Sequence, residues 1–511
     1  MKRQICLLVL VLCAPSVMHA QDFVPPAQNA AESEMLAAIR DSTAAFDLVD
    51  AVLIADGVVD SEPRARLRTR LESILQSSDD EINERWKPDK KGKKLFAYLH
   101  KGALRRYESN TTLAATLTDG TFNCVSATLL YHELASRHGL APEVVLAPTH
   151  TYVRLRNPDV VVETTDPKHG YDFDMGEEEI IEYLLEYKLI AEEQLIADGP
   201  EEVYRSYIEE SRIVDPRLLV AAAYFNRGLR AMVEEDYAEA TRNIEKAVYI
   251  DPSDEGAVAI LKITVALDAN ESHDGSAALR VMKLLPEEDW PREIARALFE
   301  MKVVGSGEKG RFDEAIATID EAEEALGPDS TMASLRTNIL VDKAWSAQRR
   351  GTYAEAHEIA GSAFERDPDS PHVREVYIVS RLADQYYRSQ RGEACSVLNE
   401  TRDDVGRFPD FPRQKETFIG VLLTCIRQSG IYTSDPDSTR SLLMEGFAID
   451  STHHQIREAI AQTWHQNAMA SVRARRNRTA RKQIMEALKF VPGDPRYLST
   501  LAEINELISY E

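Results

Sequence analysis

Taking a leader of about twenty residues from the 511-residue chain leaves roughly 490, which at about 150 per domain suggests three domains and excludes a single small module. Hydrophobic residues make up 44% of the chain, which excludes a disordered polymer, while 23 glycines and 22 prolines fall below the usual combined share of roughly 12% and favour long helices. With 60 Lys and Arg against 85 Asp and Glu, the net charge of -25 repels a phosphate backbone over most of the surface, and no nucleic-acid partner is expected.

The chain opens with Lys2 and Arg3, an apolar run over 5–14, Pro15 and a small exit residue at Ala20. This reads as a secretory signal over 1–20, too short to span a bilayer, and predicts an exported protein, periplasmic or secreted. Lipidation at Cys13 is disfavoured by Leu12, where a small residue is normal. No later stretch reaches about eighteen apolar residues without charge, so no stable membrane span is expected. Cys6 and Cys13 leave with the signal, and the remaining Cys124, Cys395 and Cys425 are odd in number, so at least one is unpaired unless chains link.

An N-terminal helical region is predicted over 21–94, with segments at 37–59 and 64–75. Its Lys-rich end, 87–94, reads as a solvated connection, and Leu95, Leu99 and Leu104 mark an amphipathic helix over 95–107. The character then changes. A helix from Cys124 to about His138 closes at Gly139, and β-rich runs follow at 143–147, 150–155 and 160–165, the last two separated by the turn residues Asn157-Pro158-Asp159.

Cys124 starts its helix, where backbone amides and the helix dipole favour a thiolate. His150-Thr151-Tyr152 and Asp166-Pro167 follow downstream. Cysteine, histidine and aspartate supply a nucleophile, its proton acceptor and an orienting carboxylate. Singly, such a cysteine is ordinarily a small buried residue and such a histidine a satisfied core group, so it is the three together that point to chemistry. A three-residue loop at 157–159 pairs residues whose numbers sum to about 316, which sets His150 opposite Asp166 with Cβ atoms roughly 5 Å apart and turns Glu163 to the other face. The candidate catalytic residues are therefore Cys124, His150 and Asp166. The Cys124 amide is a candidate oxyanion donor, and Asn123 a second.

These residues resemble the transglutaminase-like superfamily of papain-related cysteine domains. Asn123-Cys124-Val125-Ser126-Ala127, the helix end Arg137-His138-Gly139, the strand His150-Thr151-Tyr152 and the close Thr165-Asp166-Pro167 carry the likeness, with Tyr152 where the family commonly has tryptophan. The resemblance implies an α+β domain over 95–200.

After Pro216 the strand pattern gives way to a 34-residue repeat. Tyr224, Gly228, Tyr237, Ala240, Ile244, Ala247 and Pro252 fall on one frame, which recurs at Phe312, Ala315, Ile319 and Ala322, at Tyr353, Ala356, Ala360, Ala363 and Pro368, and from Trp464 through Ala468, Ala480, Ile484 and Ala487 to Pro492. This resembles the tetratricopeptide family. It implies an all-α superhelix over 216–511 that binds a peptide or protein, with small residues where paired helices approach and aromatic residues filling the gaps. Weaker copies end at Pro286, surround Ala394 and Leu398, and end near Ser451. On that frame Cys395 and Cys425 fall on adjacent helices, where a disulfide and two reduced cysteines are both open readings.

His132, Glu133 and His138 miss the zinc-protease spacing, His169 and His453-His454 lack ligand partners, and no glycine-rich phosphate loop occurs, so neither metal nor cofactor is expected. The basic run Arg473, Arg475, Arg476, Arg478, Arg481 and Lys482 reads as a solvated helix face or a docking patch. The expected protein is an exported cysteine hydrolase or acyl transferase acting on peptide or amide substrates. The alternative is a non-catalytic tetratricopeptide scaffold or adaptor of the cell envelope.

Overall fold

The computed structural model describes residues 23–40, 46–148, 150–173, 176–187, 189–190 and 192–509, so the signal expected over 1–20 lies outside the described residues. The chain forms two compact units, Met1–Leu298 and Phe299–Glu511. Among the described residues no helix is long and apolar enough to cross a membrane.

The first unit begins with helices α1 (Ala30–Arg40), α2 (Leu48–Ala55), α3 (Ser61–Glu81) and α4 (Pro88–Gly102). The single helix expected over 37–59 is thus two. The Lys-rich connection expected over 87–94 is instead the start of α4. Pro88 occupies the first turn, where its fixed φ suits a helix, and Lys91 is buried with its ammonium on the Glu84 carboxylate. A two-residue parallel bridge joins β1 (Arg106–Tyr107) to β2 (Thr121–Phe122) around α5 (Leu113–Asp119).

The next helix, α6 (Cys124–Arg137), spans nearly the range expected of it. It packs on an antiparallel sheet of order β5-β4-β3-β6, formed by β3 (Pro142–Ala147), β4 (His150–Leu155), β5 (Val160–Val162) and β6 (Arg212–Val214). Leu129, Leu130 and Leu134 of α6 are buried, as are Val144, Val153, Leu155 and Val162 of the strands. Helices α7 (Glu177–Glu186), α8 (Glu192–Asp198) and α9 (Pro200–Glu209) come between β5 and β6, and Ile180, Tyr183, Leu184, Val203 and Tyr207 form a cluster against Tyr152.

The repeat frame starts inside this unit, in α10 (Leu218–Val233) and α11 (Tyr237–Ile250). Tyr224, Ala240 and Ile244 have no solvent exposure, and a Cβ on Gly228 would come within 2.5 Å of Ile244 Cδ1, so glycine is what lets the pair close. Helix α1 joins the same pair through one carboxylate. Glu32 Oε1 accepts from Tyr224 Oη at 2.6 Å and Lys246 Nζ at 2.8 Å, with all three side chains buried. Helices α12 (Glu255–Ser272), α13 (Ser276–Leu284) and α14 (Trp290–Glu308) follow, and the unit boundary falls within α14.

The second unit continues with α15 (Phe312–Leu326), α16 (Ser330–Arg350), α17 (Tyr353–Arg366), α18 (Pro371–Arg388), α19 (Ala394–Arg407), α20 (Arg413–Ser429), α21 (Ile431–Ser434), α22 (Pro436–Ile449), α23 (His454–Arg473), α24 (Asn477–Phe490) and α25 (Pro495–Ser509). Each frame position carrying a small or branched residue is sealed. Ala315, Ile319, Ala322, Ala356, Ala360, Ala363, Ala468, Ala480, Ile484 and Ala487 are all fully buried, the pattern of helix pairs stacked against their neighbours. Trp464 is only half-buried, with the Arg440 guanidinium 3.8 Å from its ring centroid. The basic run at 473–482 is solvent-facing at every arginine and at Lys482.

Cys395 of α19 and Cys425 of α20 are joined by a disulfide, and among the described residues Cys124 is the free cysteine. A covalent loop of 30 residues stabilises a fold by roughly 3.5 kcal/mol on chain-entropy grounds. Alkylation of unreduced, denatured protein is expected to label Cys124 alone by mass spectrometry. Labelling at all three positions would remove the bridge.

Candidate active site around Cys124

Cys124 is the first residue of α6 and is partly exposed. Asn123 caps the helix in a reciprocal box: Ser126 N donates to Asn123 Oδ1 at 2.9 Å, and Asn123 N donates to Ser126 Oγ at 3.1 Å. The other end of the Asn123 amide is also occupied, with Nδ2 donating to the Thr111 carbonyl at 2.9 Å. Asn123 is therefore a structural cap, with its amide oxygen and one N–H of its amide nitrogen engaged. The Cys124 amide is one of the first-turn donors that have no acceptor within the helix.

His150 opens β4 with its side chain fully buried. Its Nε2 lies 2.8 Å from Glu163 Oε2 and 3.1 Å from Tyr183 Oη. Glu163 Oε1 accepts from Thr165 N at 3.0 Å and Thr165 Oγ1 at 2.7 Å, and Tyr183 Oη lies 2.8 Å from Thr165 Oγ1. One proton arrangement serves the whole ring. Thr165 donates to Glu163, Tyr183 donates to Thr165, and Nε2–H donates to Glu163. That leaves Nδ1, which is buried and has no hydrogen-bond partner. The Cys124 thiol is close enough to act on the ring as a hydrogen-bonding group and as a charge. Burial alone would lower the imidazole's pKa. The Glu163 carboxylate, helped by Cys124 and by the hydrogen bond to Glu163, overcomes burial and pushes it up to about 10.

Asp166, expected opposite His150, does not reach it. The observed register pairs Val153 with Val162, Arg154 with Val161 and Leu155 with Val160, one residue away from the register predicted with a three-residue loop. A slip of one residue exchanges the faces of a strand, so Glu163 turns to the His150 side and Asp166 to the other. The parity is visible in the neighbours. Thr165 joins Glu163, whereas Thr164 Oγ1 lies 3.2 Å from Thr128 Oγ1 on α6. Asp166 accepts from Lys168 N at 2.9 Å and approaches His169 Nδ1 at 3.4 Å. It also faces His100, whose pKa burial lowers to about 4 against the opposing pull of Asp166, so His100 is neutral near pH 7. The turn that follows closes only over glycine, because a Cβ on Gly170 would meet the Glu163 carbonyl at 2.0 Å and the Asp166 carbonyl at 2.5 Å.

Tyrosines surround the pair. Tyr152 stacks toward His150 at 6.3 Å between centroids and toward Tyr207 at 6.5 Å. Burial raises the phenol pKa values of Tyr107 and Tyr207, and Cys124 adds to both shifts. Behind Tyr207 a cleft of about 230 Å³ is lined by Leu184, Ile190 and Val203 with Asp198, Glu202 and Ser206. Of these residues, Glu163 had a signal in the sequence, since it lies one position from the face it was denied. Tyr183 and Tyr207 had none, because they reach the site from helices that no spacing ties to His150.

No family model matches the chain, and no curated protein matches it. Among solved structures it is similar to the crystal structure of the P58(IPK) TPR domain, at 12% identity over 65% of this chain and 98% of that one, with a TM-score of 0.16. A score that low is not a whole-body superposition, and the repeat assignment rests on the buried frame positions.

Proposed function

We propose that this is an exported helical-repeat scaffold whose first unit carries a transglutaminase-like cysteine site for acyl transfer, with Cys124, His150 and Glu163 in the three roles. The observation that carries the reading is the His150 ring, with Nε2–H committed to Glu163 and a partly exposed thiol at a helix start close enough to act on it. In the step it supports, Cys124 Sγ, its proton already carried by His150 Nδ1 because the ring is charged below about pH 10, bonds to an amide carbonyl carbon. The C–N bond breaks, and that proton leaves on the amine. Water or a second amine then releases the acyl group, while the Cys124 amide faces the developing oxyanion. The repeats would hold the protein or peptide that presents the amide.

The second reading is a non-catalytic repeat scaffold, and the sealed frame of the second unit supports it without reference to Cys124. Thiol chemistry separates the two. Native protein is expected to react with iodoacetamide at pH 6 at least about tenfold faster than a model thiol, with the excess lost in His150→Ala. A native rate equal to that of the model thiol would sink the enzymatic reading and leave the scaffold.

A further inference from the structure

The cap of the nucleophile's helix is anchored from the repeats. The Thr111 carbonyl, which accepts from Asn123 Nδ2 at 2.9 Å, also accepts from Arg230 Nη1 at 3.1 Å. Arg230 lies on α10, the first helix of the repeat frame, 119 residues away along the chain. Two residues on, Leu113 N donates to Asp56 Oδ2 at 2.6 Å, and Asp56 also acts electrostatically on the Arg230 guanidinium. The segment 111–113 is therefore clamped on one side by α10 and on the other by the end of α2.

The clamp matters because of what an asparagine cap needs. A buried side-chain amide that presents its oxygen to Ser126 N is held in that orientation when its nitrogen has an acceptor on the other side. That acceptor is the Thr111 carbonyl, a loop group with two lone pairs, one on Asn123 and one on Arg230. Among the described residues, Arg230 is the charged donor that fixes where this carbonyl points. Arg227, one turn earlier on α10, bonds Glu239 at 2.7 Å and the Ala55 carbonyl at 3.5 Å, and so ties α10 to α2 without touching Thr111.

We propose that Arg230 is a positioning residue for Cys124, acting through the Thr111 carbonyl and the Asn123 cap, so that the first repeat helix belongs to the thiol's machinery and is not only a binding surface. This rests on the acyl-transfer reading of Cys124.

The test is the rate of Cys124 alkylation as a function of pH in the full chain, with amide hydrogen exchange at Ser126 as a second readout. Arg230→Ala is expected to lower the rate at pH 6 by about fivefold, the kinetic equivalent of losing a cap, to move the profile toward that of a free thiol, and to speed Ser126 exchange. Arg230→Lys, which keeps a charged donor, is expected to recover most of the rate. Arg227→Ala, which loosens the same helix contact, is expected to keep the wild-type profile. If Arg230→Ala melts cooperatively and keeps the wild-type profile, the proposal is overturned while the acyl-transfer reading stands. An equal shift in Arg227→Ala overturns it too, because general loosening would then account for the effect. A wild-type protein with free-thiol reactivity overturns both.

Discussion

Glu163→Gln is expected to lower the alkylation rate of Cys124 at pH 6 by about tenfold or more, while Asp166→Asn leaves it within about twofold, one pKa unit being worth about 1.4 kcal/mol. Glu163 is fully buried and spends both oxygens, one on His150 Nε2 and one on Thr165 N and Oγ1. Glutamine keeps the volume but brings a neutral group with one oxygen for three donors. The charge that most strongly raises His150 goes with it. Asp166 serves a local turn, an exposed histidine and the neutral His100, and none of these is His150. Stability provides a second check. The folded value for His150 is about 10 against 6.5 for the free group, so the contribution is fully present below pH 6.5 and is lost as pH rises through about 10. Urea unfolding of wild type and Glu163→Gln should therefore differ more at pH 6 than at pH 10.5. Equal loss of alkylation rate in Asp166→Asn would reinstate Asp166.

The largest effect on stability is expected from Lys246→Met, at about 3 to 5 kcal/mol. Lys246 and Glu32 form a salt bridge at 2.8 Å with almost no exposure of either side chain. Methionine leaves the Glu32 carboxylate buried, with the Tyr224 hydroxyl and the Gln28 backbone amide as its remaining donors among the described residues. The double variant Glu32→Leu/Lys246→Met removes both charges and is expected to recover much of the loss, because a buried pair contributes less than its broken half costs. Thermal melting of the two variants checks this. Equal destabilisation would mean that packing, and not the stranded charge, sets the penalty.

What could be read from the sequence follows the reach of each signal. The helix beginning at Cys124 was legible because its cap, its apolar run and Gly139 are all local. The repeat frame was legible because small residues recur at a fixed spacing and each repeat solves the same packing problem; its alanines are buried where that spacing puts them. The third member of the site was not, since register hung on the length of one loop, and a single residue there exchanged Glu163 for Asp166. Strand β6 was also missed. Its three residues pair with Val144, Val145 and Leu146 across an excursion of three helices, and a short strand of long-range pairing has no periodicity of its own. Tyrosine 152 read as a family position; its stacking between His150 and Tyr207 required the helices that cover it.

The bridge between Cys395 and Cys425 also sets how the second unit would respond to a pull on its two ends. Stacked helix pairs peel one neighbour at a time, and each released residue lengthens the chain by roughly 3.5 Å. The 30 residues inside the bridge hold about 100 Å of extension that no force below covalent strength can release until the bond is reduced. Under tension α19 and α20 would survive as a knot of fixed length while the helices on either side came apart, and a reductant would appear in an extension trace as one added step.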